Sequence, residues 1–149
     1  MKNFLRFLPL FLVGIFTFTL TSCSDDDSDE PLNPEDLPAT AYNFISEYFP
    51  AERIISVATD DEDYEVTLSD ATQIEFDKTG MWKEVDAPDF MTIPSGFYPE
   101  KIDSYIEANY AGDGINEISK DSNGYYNVEL VSGRDMKFSL QGSYIGRSI

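Results

Sequence analysis

Residues 64–76 read YEVTLSDATQIEF, in which apolar and polar side chains alternate within YEVTL and again within QIEF. Alternation with a period of two is typical of a β-strand whose two faces lie in different environments. The polar residues Ser69-Asp70 between the two segments favour a turn. The stretch therefore predicts an antiparallel pair of strands whose buried face carries Tyr64, Val66, Leu68, Ile74 and Phe76.

The same pattern returns as YNVELVSGRDMKF at residues 126–138. Outward from these stretches, apolar and glycine positions recur at an offset of 61 or 62 residues, so that Ile54 corresponds to Ile115, Gly80 to Gly142 and Trp82 to Tyr144. Leu37-Pro38 is matched to Ile93-Pro94 at the shorter offset of 56 residues. This self-similarity predicts a tandem duplication with units at residues 37–86 and 93–149.

Each unit begins with a helical pattern and continues with strand patterns. Apolar residues recur at helical spacing up to Phe49, where Pro50 ends the first helix, and up to Tyr110, where Gly112 ends the second. About four short strands follow each helix. We therefore predict an α+β fold, in which two helix-plus-antiparallel-meander repeats form one helix-backed antiparallel sheet. A unit of about 50 residues is marginally stable alone, so the two repeats are expected to share a core.

The N-terminal segment has the pattern of a lipoprotein precursor. Basic residues at Lys2 and Arg6 precede an apolar run that is too short for a membrane span, and the run ends in Leu20-Thr21-Ser22-Cys23. We predict a signal peptide at residues 1–22 and a lipid anchor on Cys23. An ordinary secretory signal with a chance cysteine is the alternative.

An acidic segment follows the cysteine. Residues 23–36 contain SDDDSDE and two prolines, and such a composition favours a solvated, extended tether. An acidic run directly after the lipidated cysteine also resembles the surface-export signal of some Gram-negative lipoproteins. The tether and the export signal are compatible interpretations of the same residues. We predict an envelope protein that is lipid-anchored at the outer membrane, and the export signal further predicts exposure at the cell surface.

Composition excludes several classes of protein. The chain has a formal net charge of −18, no histidine and one cysteine. Such a charge argues against nucleic-acid binding, and the missing residues exclude a Ser-His-Asp triad, a thiolate zinc site and an intrachain disulfide. The acidic run Asp60 to Asp63 lacks the spacing of a calcium loop, and its repeat counterpart is an ordinary turn, so we interpret it as solvated. We expect no enzyme activity, metal or cofactor.

The lipobox, the acidic tether and the two helix-then-meander units together resemble the PepSY-like envelope lipoproteins, which share the beta-lactamase-inhibitor-like fold. The resemblance rests on LPxxA at residues 37–41, FIxxYFP at residues 44–50 and the strand pattern through IEFDxxGxW at residues 74–82. It implies two helices on a continuous antiparallel sheet, an open sheet face available to a partner, and no catalytic activity. Tyr144 replaces Trp82 in the second unit.

The polar face of the predicted sheet is the candidate partner-binding surface. Glu65, Glu75 and Glu129 should lie there and favour a basic partner surface, although a merely solvated face fits them as well. Trp82 and Tyr144 are expected to project onto the same face if Met81 faces the helices, and the alternative is that Trp82 packs at the sheet edge.

Two functions from different classes follow from this surface. The first is an inhibitor-like module that binds a protein through the acidic face and weakens with salt. The second is an accessory lipoprotein that binds carbohydrate or a small ligand, with Trp82 and Tyr144 as stacking platforms. A structural role is the third reading, and the first is preferred. The partner itself is not identified by the sequence.

Overall fold

The computed structural model describes residues 32–60 and 63–147, so the predicted signal peptide and Cys23 lie outside the described residues. Each half of the described chain contains one α-helix followed by four β-strands. The elements, in chain order, are a 3-10 helix at Pro34–Asp36, α1 at Ala39–Tyr48, β1 at Ile54–Asp60, β2 at Asp63–Leu68, β3 at Gln73–Phe76, β4 at Trp82–Asp86, α2 at Glu100–Asn109, β5 at Ile115–Lys120, β6 at Tyr126–Leu130, β7 at Asp135–Phe138 and β8 at Tyr144–Gly146.

The eight strands form one antiparallel sheet in the order of the sequence, from β1 to β8. β4 of the first repeat pairs with β5 of the second, which makes the sheet continuous across the two repeats. The predicted α+β fold, with two helices backing a continuous antiparallel sheet, is confirmed. A meander of this kind needs only short turns, because each strand pairs with its neighbour in sequence.

The two repeats share their irregularities as well as their strands. β1 and β5 each carry one extra residue opposite the strand that follows, Ile55 in the first repeat and Asn116 in the second. β4 and β8 carry the extra residues Lys83 and Ile145, again at equivalent positions. These bulges locally change which side of the sheet a side chain faces.

Both helices pack on the same side of the sheet. Their buried residues Ala41, Ile45, Ile102 and Ile106 belong to one core that also contains side chains from every strand except β8. The expectation that the two repeats share a hydrophobic core is therefore met. Phe76 and Phe138, which are equivalent in the two repeats, are its largest fully buried side chains.

One proline and one glycine position the start of each helix on its own repeat. α1 begins after Pro38 and α2 after Pro99, so the structural counterpart of Pro38 is Pro99 and not Pro94 as the sequence comparison predicted. Gly80 and Gly142 lie beneath these starts, where an added Cβ would come within 2.8 Å and 2.9 Å of the nearest helix-start atoms. The close approach explains why glycine occupies both turns.

The segment between the repeats is tied to the sheet by Asn116. The side-chain Nδ2 of this buried residue lies 3.0 Å from the carbonyl oxygens of Ala87, Pro88 and Met91. Phe90, inside the segment, has a φ of +69° and an 84% exposed side chain. These three hydrogen bonds from Asn116 give the connecting segment a defined conformation.

The start of the ordered domain lies earlier than the sequence predicted. Leu32 forms an isolated antiparallel bridge with Val57 of β1, and the 3-10 helix at Pro34–Asp36 leads directly to the buried Leu37. The sequence predicts that residues 32–36 belong to the solvated tether, and residues 33–36 are indeed exposed, but Leu32 packs against the core and covers part of the β1 edge. In the described part of the chain, neither α-helix is long and apolar enough to span a bilayer.

Candidate functional site: the open face of the sheet

The side of the sheet opposite the helices carries a first row of carboxylates across three neighbouring strands. Glu65 on β2 lies opposite Glu75 on β3, and Glu75 lies opposite Glu84 on β4. Strand registry places such residues about 5 Å apart, because adjacent strands are separated by that distance. The sequence predicted Glu65 and Glu75 on this face, and the structure brings them together.

A second row crosses the boundary between the repeats. Asp86 on β4 lies opposite Glu117 on β5, which lies opposite Glu129 on β6, which lies opposite Asp135 on β7. Glu84 and Asp86 are two residues apart on β4, so the two rows join there. Glu129 thus lies in a different row from Glu65 and Glu75. We call the seven carboxylates of both rows the acidic face: Glu65, Glu75, Glu84, Asp86, Glu117, Glu129 and Asp135.

Electrostatic repulsion is concentrated at the junction of the rows. Partial burial, together with the charges of Glu84, Asp86, Glu129 and Asp135, raises the pKa of Glu117 to about 7. Burial followed by the charge of Glu75 also raises the pKa of Glu84. Like charges placed directly opposite each other destabilise a sheet, so the acidic face carries an electrostatic cost that a nearby cation would relieve.

Lysines are placed at the margin of the acidic face. Lys83 binds Glu75 and also lies 2.5 Å from Asp63, while Lys137 lies 2.7 Å from Asp121. Lys120 is turned to the helix side, where its Nζ lies 3.5 Å from the centre of the Trp82 ring. Burial there lowers the pKa of Lys120 to about 8. Lys83 thus neutralises part of the first row, and the repulsion remains at the junction of the rows, where the pKa values of Glu84 and Glu117 are raised.

The predicted position of Trp82 on the open face is wrong. Its side chain is 7% exposed and lies on the helix side, 6.1 Å from the Tyr126 ring and 5.0 Å from the Phe97 ring. The reason is the bulge at Lys83, because the extra residue puts Trp82 on the same face as Val85 although the two are three positions apart. Met81, which was expected to face the helices, is exposed.

Tyr144 also lies on the helix side, because the bulge at Ile145 is equivalent to the bulge at Lys83. Its ring stacks on Tyr105 of α2 at a centroid distance of 4.4 Å and contacts Phe138. The side chain is 38% exposed because β8 is at the edge of the sheet. The structure therefore does not bring Trp82 and Tyr144 together with the glutamates as one binding surface.

Sequence reasoning missed Glu84, Asp86 and Glu117 as members of the acidic face. Val85 and Ile118 are fully buried, and alternation from these two residues would have placed their neighbours on the polar side. The pairing of β4 with β5, which joins the two rows, is a long-range contact that no local pattern indicates.

The acidic face does not form an enclosed ligand pocket. A shallow groove of about 190 Å³ is lined by Glu65, Glu75 and Glu84, below the roughly 300 Å³ at which pockets for small molecules begin. Within the described residues, no group of three or more carboxylate, thiol or imidazole side chains is arranged to hold a metal ion. Of the acidic run that we interpreted as a solvated turn, Asp61 and Glu62 lie outside the described residues.

Replacing Glu117 by Gln is expected to stabilise the protein at pH 8 and not at pH 4. The raised pKa of Glu117 means that the folded state binds an extra proton between its ordinary value near 4.5 and about 7. The free energy of unfolding of the parent therefore falls as pH rises through this range. We expect a gain of about 1 kcal/mol at pH 8, reduced from the full shift because solvent screens a partly exposed group.

Urea unfolding of the parent and the Glu117→Gln variant at pH 4, 5.5 and 8 measures this gain. Glu107→Gln, an exposed change on α2, is the control and should give no pH-dependent difference. An equal effect of Glu117→Gln at all three pH values would contradict the placement of Glu117 among repelling carboxylates.

Comparison with protein families identifies the fold's relatives. Two overlapping segments, residues 26–73 and 62–145, match the family described as "Putative beta-lactamase-inhibitor-like, PepSY-like". The chain belongs to the PepSY-like family. The resemblance inferred from the lipobox, helix and strand patterns is thereby confirmed at the level of the family. No protein in a search of curated proteins matches the chain.

Solved structures of similar proteins come from Bacteroides species. A "putative calcium-regulated periplasmic protein" from Bacteroides thetaiotaomicron is 27% identical, with a TM-score of 0.73, over 80% of this chain and 95% of its own. A putative periplasmic protein of the DUF2874 family from Bacteroides vulgatus is 31% identical, with a TM-score of 0.72, over 84% of this PepSY-like chain and 100% of its own. A second protein from Bacteroides vulgatus, of unknown function, is 26% identical over 78% and 95% of the two chains, with a TM-score of 0.73.

These relatives support a cell-envelope location for this PepSY-like protein. Their descriptions are of inhibitor-like proteins or of periplasmic proteins without an assigned function, and not of enzymes. The comparisons thus agree with the envelope location predicted from the N-terminal segment. They name the family without naming a partner.

Proposed function

We propose that this PepSY-like protein is a non-enzymatic envelope lipoprotein that binds a partner protein through the acidic face, in the manner of an inhibitor-like module. The observation that carries the proposal is the alignment of seven carboxylates in two joined rows on a sheet face that the helices leave open. A basic patch on a partner surface complements such a face in charge.

The physical basis is the repulsion within the rows. A lysine or arginine brought between Glu84 and Glu117 favours the ionised form of both carboxyl groups, whose pKa values are raised in the free protein. Part of the electrostatic cost of the fold is then recovered on binding. The opposite face of the sheet cannot bind a partner in this way, because the helices cover it and its side chains form the hydrophobic core.

Attachment to the membrane is part of the same proposal. Residues 1–22 act as the signal peptide, and acylation of Cys23 anchors the chain at the outer membrane, with the acidic segment after Cys23 directing it to the cell surface. The described domain carries its ordered structure from Leu32 onward, so the anchor and the acidic face are on separate parts of the chain. The envelope location of the relatives supports this arrangement.

Carbohydrate binding loses the observation on which it rested. Stacking of a sugar requires an exposed aromatic ring face, and Trp82 is buried between Tyr126, Phe97 and Phe44. Tyr144 is 38% exposed, but its ring stacks on a tyrosine of α2 at the helix side and forms no joint platform with Trp82. The protein-binding function is therefore the one we retain.

Capture from envelope extract with charge-matched variants tests the proposal. The soluble fragment of residues 24–149 contains every described helix and strand and serves as bait. One variant neutralises the acidic face with Glu84→Gln, Asp86→Asn and Glu117→Gln. The control neutralises three exposed carboxylates on the helices with Glu47→Gln, Glu100→Gln and Glu107→Gln, so both variants have the same net charge.

We expect the first variant to bind the captured protein at least roughly tenfold more weakly than the parent, since each lost charge pair contributes on the order of 0.5–1 kcal/mol. The helix-side variant should retain the parent affinity within about twofold, a difference of only about 0.4 kcal/mol. Equal loss in both variants would show an effect of net charge alone and would contradict a specific acidic face.

Divalent cations provide a second readout of the same interaction. Because one solved relative is described as calcium-regulated, the binding measurement is repeated with Ca²⁺ and with Mg²⁺ at equal ionic strength. We expect both ions to weaken binding to the same extent, because screening depends on ionic strength and not on the identity of the ion. A loss caused by Ca²⁺ alone would show that a specific calcium site controls the face.

A further inference from the structure

The two repeats differ at one corner of the open face, at the end formed by β8. Three positions that are polar in the first repeat, Asp63, Lys78 and Lys83, correspond at an offset of 62 residues to Tyr125, Leu140 and Ile145. All three replacements are exposed, by 37%, 53% and 53% of the residue surface respectively. We call Tyr125, Leu140 and Ile145 the apolar corner.

The first repeat shows which side of the sheet the equivalent residue of the second repeat faces. In the first repeat, Lys83 is the extra residue of its bulge and reaches Asp63 and Glu75 on the open face. Ile145 is the extra residue of the equivalent bulge, and it follows Tyr144, whose ring lies on the helix side. The same backbone geometry therefore points Ile145 to the open face.

The other two members of the corner lie beside the same turn. Tyr125 directly follows Gly124 in the turn between β5 and β6, and the Nζ of Lys137 lies 4.7 Å from the centre of its ring. A Cβ added at Gly124 would lie 3.2 Å from Leu140 Cδ1, which places Leu140 over that turn. Lys137, whose Nζ lies over the Tyr125 ring, pairs across the sheet with Gly146, the neighbour of Ile145, so Ile145 lies on the strand next to it.

We propose that the apolar corner and the acidic face together bind one amphipathic segment of the partner, with an apolar side chain on the corner and basic side chains over the carboxylates. This inference rests on the proposed function, and it adds the chemistry of the segment. Tyr125 directly precedes β6 and lies four residues before Glu129 of that strand, which is about 13 Å along an extended chain. An extended segment lying along β6 would thus carry its basic residues about four positions from its apolar residue.

Charge complementarity selects this occupant over two others. A second copy of the chain would bring another acidic face and a net charge of −18 toward the corner. Anionic lipid headgroups would be repelled by the neighbouring carboxylates Glu129 and Asp135 for the same reason. An amphipathic segment with basic residues complements both parts of the surface, because its apolar side chain contacts the apolar corner and its basic side chains pair with the acidic face.

Two synthetic peptides test the inference on the fragment of residues 24–149. Each carries four arginines alternating with serines, and one begins with a phenylalanine four residues before the first arginine, where the other has serine. The corner variant is Leu140→Ser with Ile145→Ser. The control is Met81→Ser with Met91→Ser, which removes two apolar side chains of nearly equal exposure, 52% and 53%, elsewhere on the surface.

We expect the phenylalanine peptide to bind the parent about five- to tenfold more tightly than the serine peptide, which corresponds to about 1–1.4 kcal/mol. The corner variant should lose this preference and the control should keep it. Equal binding of both peptides to the parent, or a preference that survives in the corner variant, would overturn the inference.

The same titrations separate this inference from the function on which it rests. If both peptides bind the parent equally and both weaken on the Glu84→Gln, Asp86→Asn, Glu117→Gln variant, the acidic face stands and the apolar corner is rejected. If neither peptide binds the parent, both are rejected. The residues replaced in the corner variant and in its control are all exposed. Each replacement should therefore change the free energy of unfolding by less than about 0.5 kcal/mol.

Discussion

Replacing Trp82 by Ala is expected to lower the free energy of unfolding by about 3–5 kcal/mol, the range for deleting a large aromatic side chain from a core. The ring stacks on Tyr126 and is contacted edge-on by Phe97, and the Lys120 ammonium lies over its face. Truncation removes all of these contacts and leaves a cavity between α1 and the centre of the sheet.

Urea unfolding followed by circular dichroism measures this loss, because the variant lacks the chain's single tryptophan. Tyr144→Ala at the equivalent position of the second repeat is the matched control. Its ring is 38% exposed and stacks mainly on Tyr105, so we expect a smaller loss of about 1–2 kcal/mol. A loss below about 1 kcal/mol for Trp82→Ala would contradict the burial of the ring and indicate that it is exposed.

Replacing Gly80 by Ala is expected to cost about 3 kcal/mol, from two sources that act together. The residue has a φ of +83°, a conformation that disfavours any side chain. An added Cβ would also lie 2.8 Å from the backbone nitrogen of Ala41 and 2.8 Å from Pro38 Cβ. Because one of these atoms belongs to the helix backbone, α1 itself must move.

Gly133→Ala separates the two sources of this cost. Gly133 has a φ of +76°, but an added Cβ would meet nothing within 4 Å. We expect a loss of about 1 kcal/mol there, due to the backbone conformation alone. Thermal and urea unfolding of both variants give the difference, and an equal loss for the two would show that α1 does not pack on the turn at Gly80.

The sequence predicted most of the fold because the two repeats reinforce each other. A single alternation such as Tyr64 to Leu68 is a weak signal, but its recurrence at Tyr126 to Leu130, with the glycine turns in register, fixed the strands and the fold class. The helix ends predicted from Pro50 and Gly112, at Phe49 and Tyr110, lie one residue beyond the observed ends at Tyr48 and Asn109.

The errors in the prediction have identifiable physical causes. Strict alternation placed Trp82 on the open face, whereas the bulge at Lys83 reverses its side. Pro38 was matched to Pro94, because Ile93-Pro94 resembles Leu37-Pro38 locally, while the helix start in the second repeat is at Pro99. Both errors arise where one residue is inserted or where the spacing between elements changes.

The candidate site was predicted only in part. Alternation correctly gave Glu65, Glu75 and Glu129 a polar position, but the two rows depend on the registry between β4 and β5, which brings Asp86 opposite Glu117. The apolar corner could have been found from the sequence, since Lys83 and Ile145 occupy equivalent repeat positions. Its significance depends on exposure, which only the structure provides.

Site-specific photo-crosslinking in the native envelope tests the binding function of the acidic face most directly. A photoreactive residue is placed at Ser119, which lies opposite Glu84 in the middle of the open face, or at Ser104, which is exposed on α2. We predict that Ser119 crosslinks to a discrete partner protein and that added salt before irradiation reduces the yield. A crosslink formed from Ser104 and not from Ser119 would contradict the assignment of the acidic face as the binding surface.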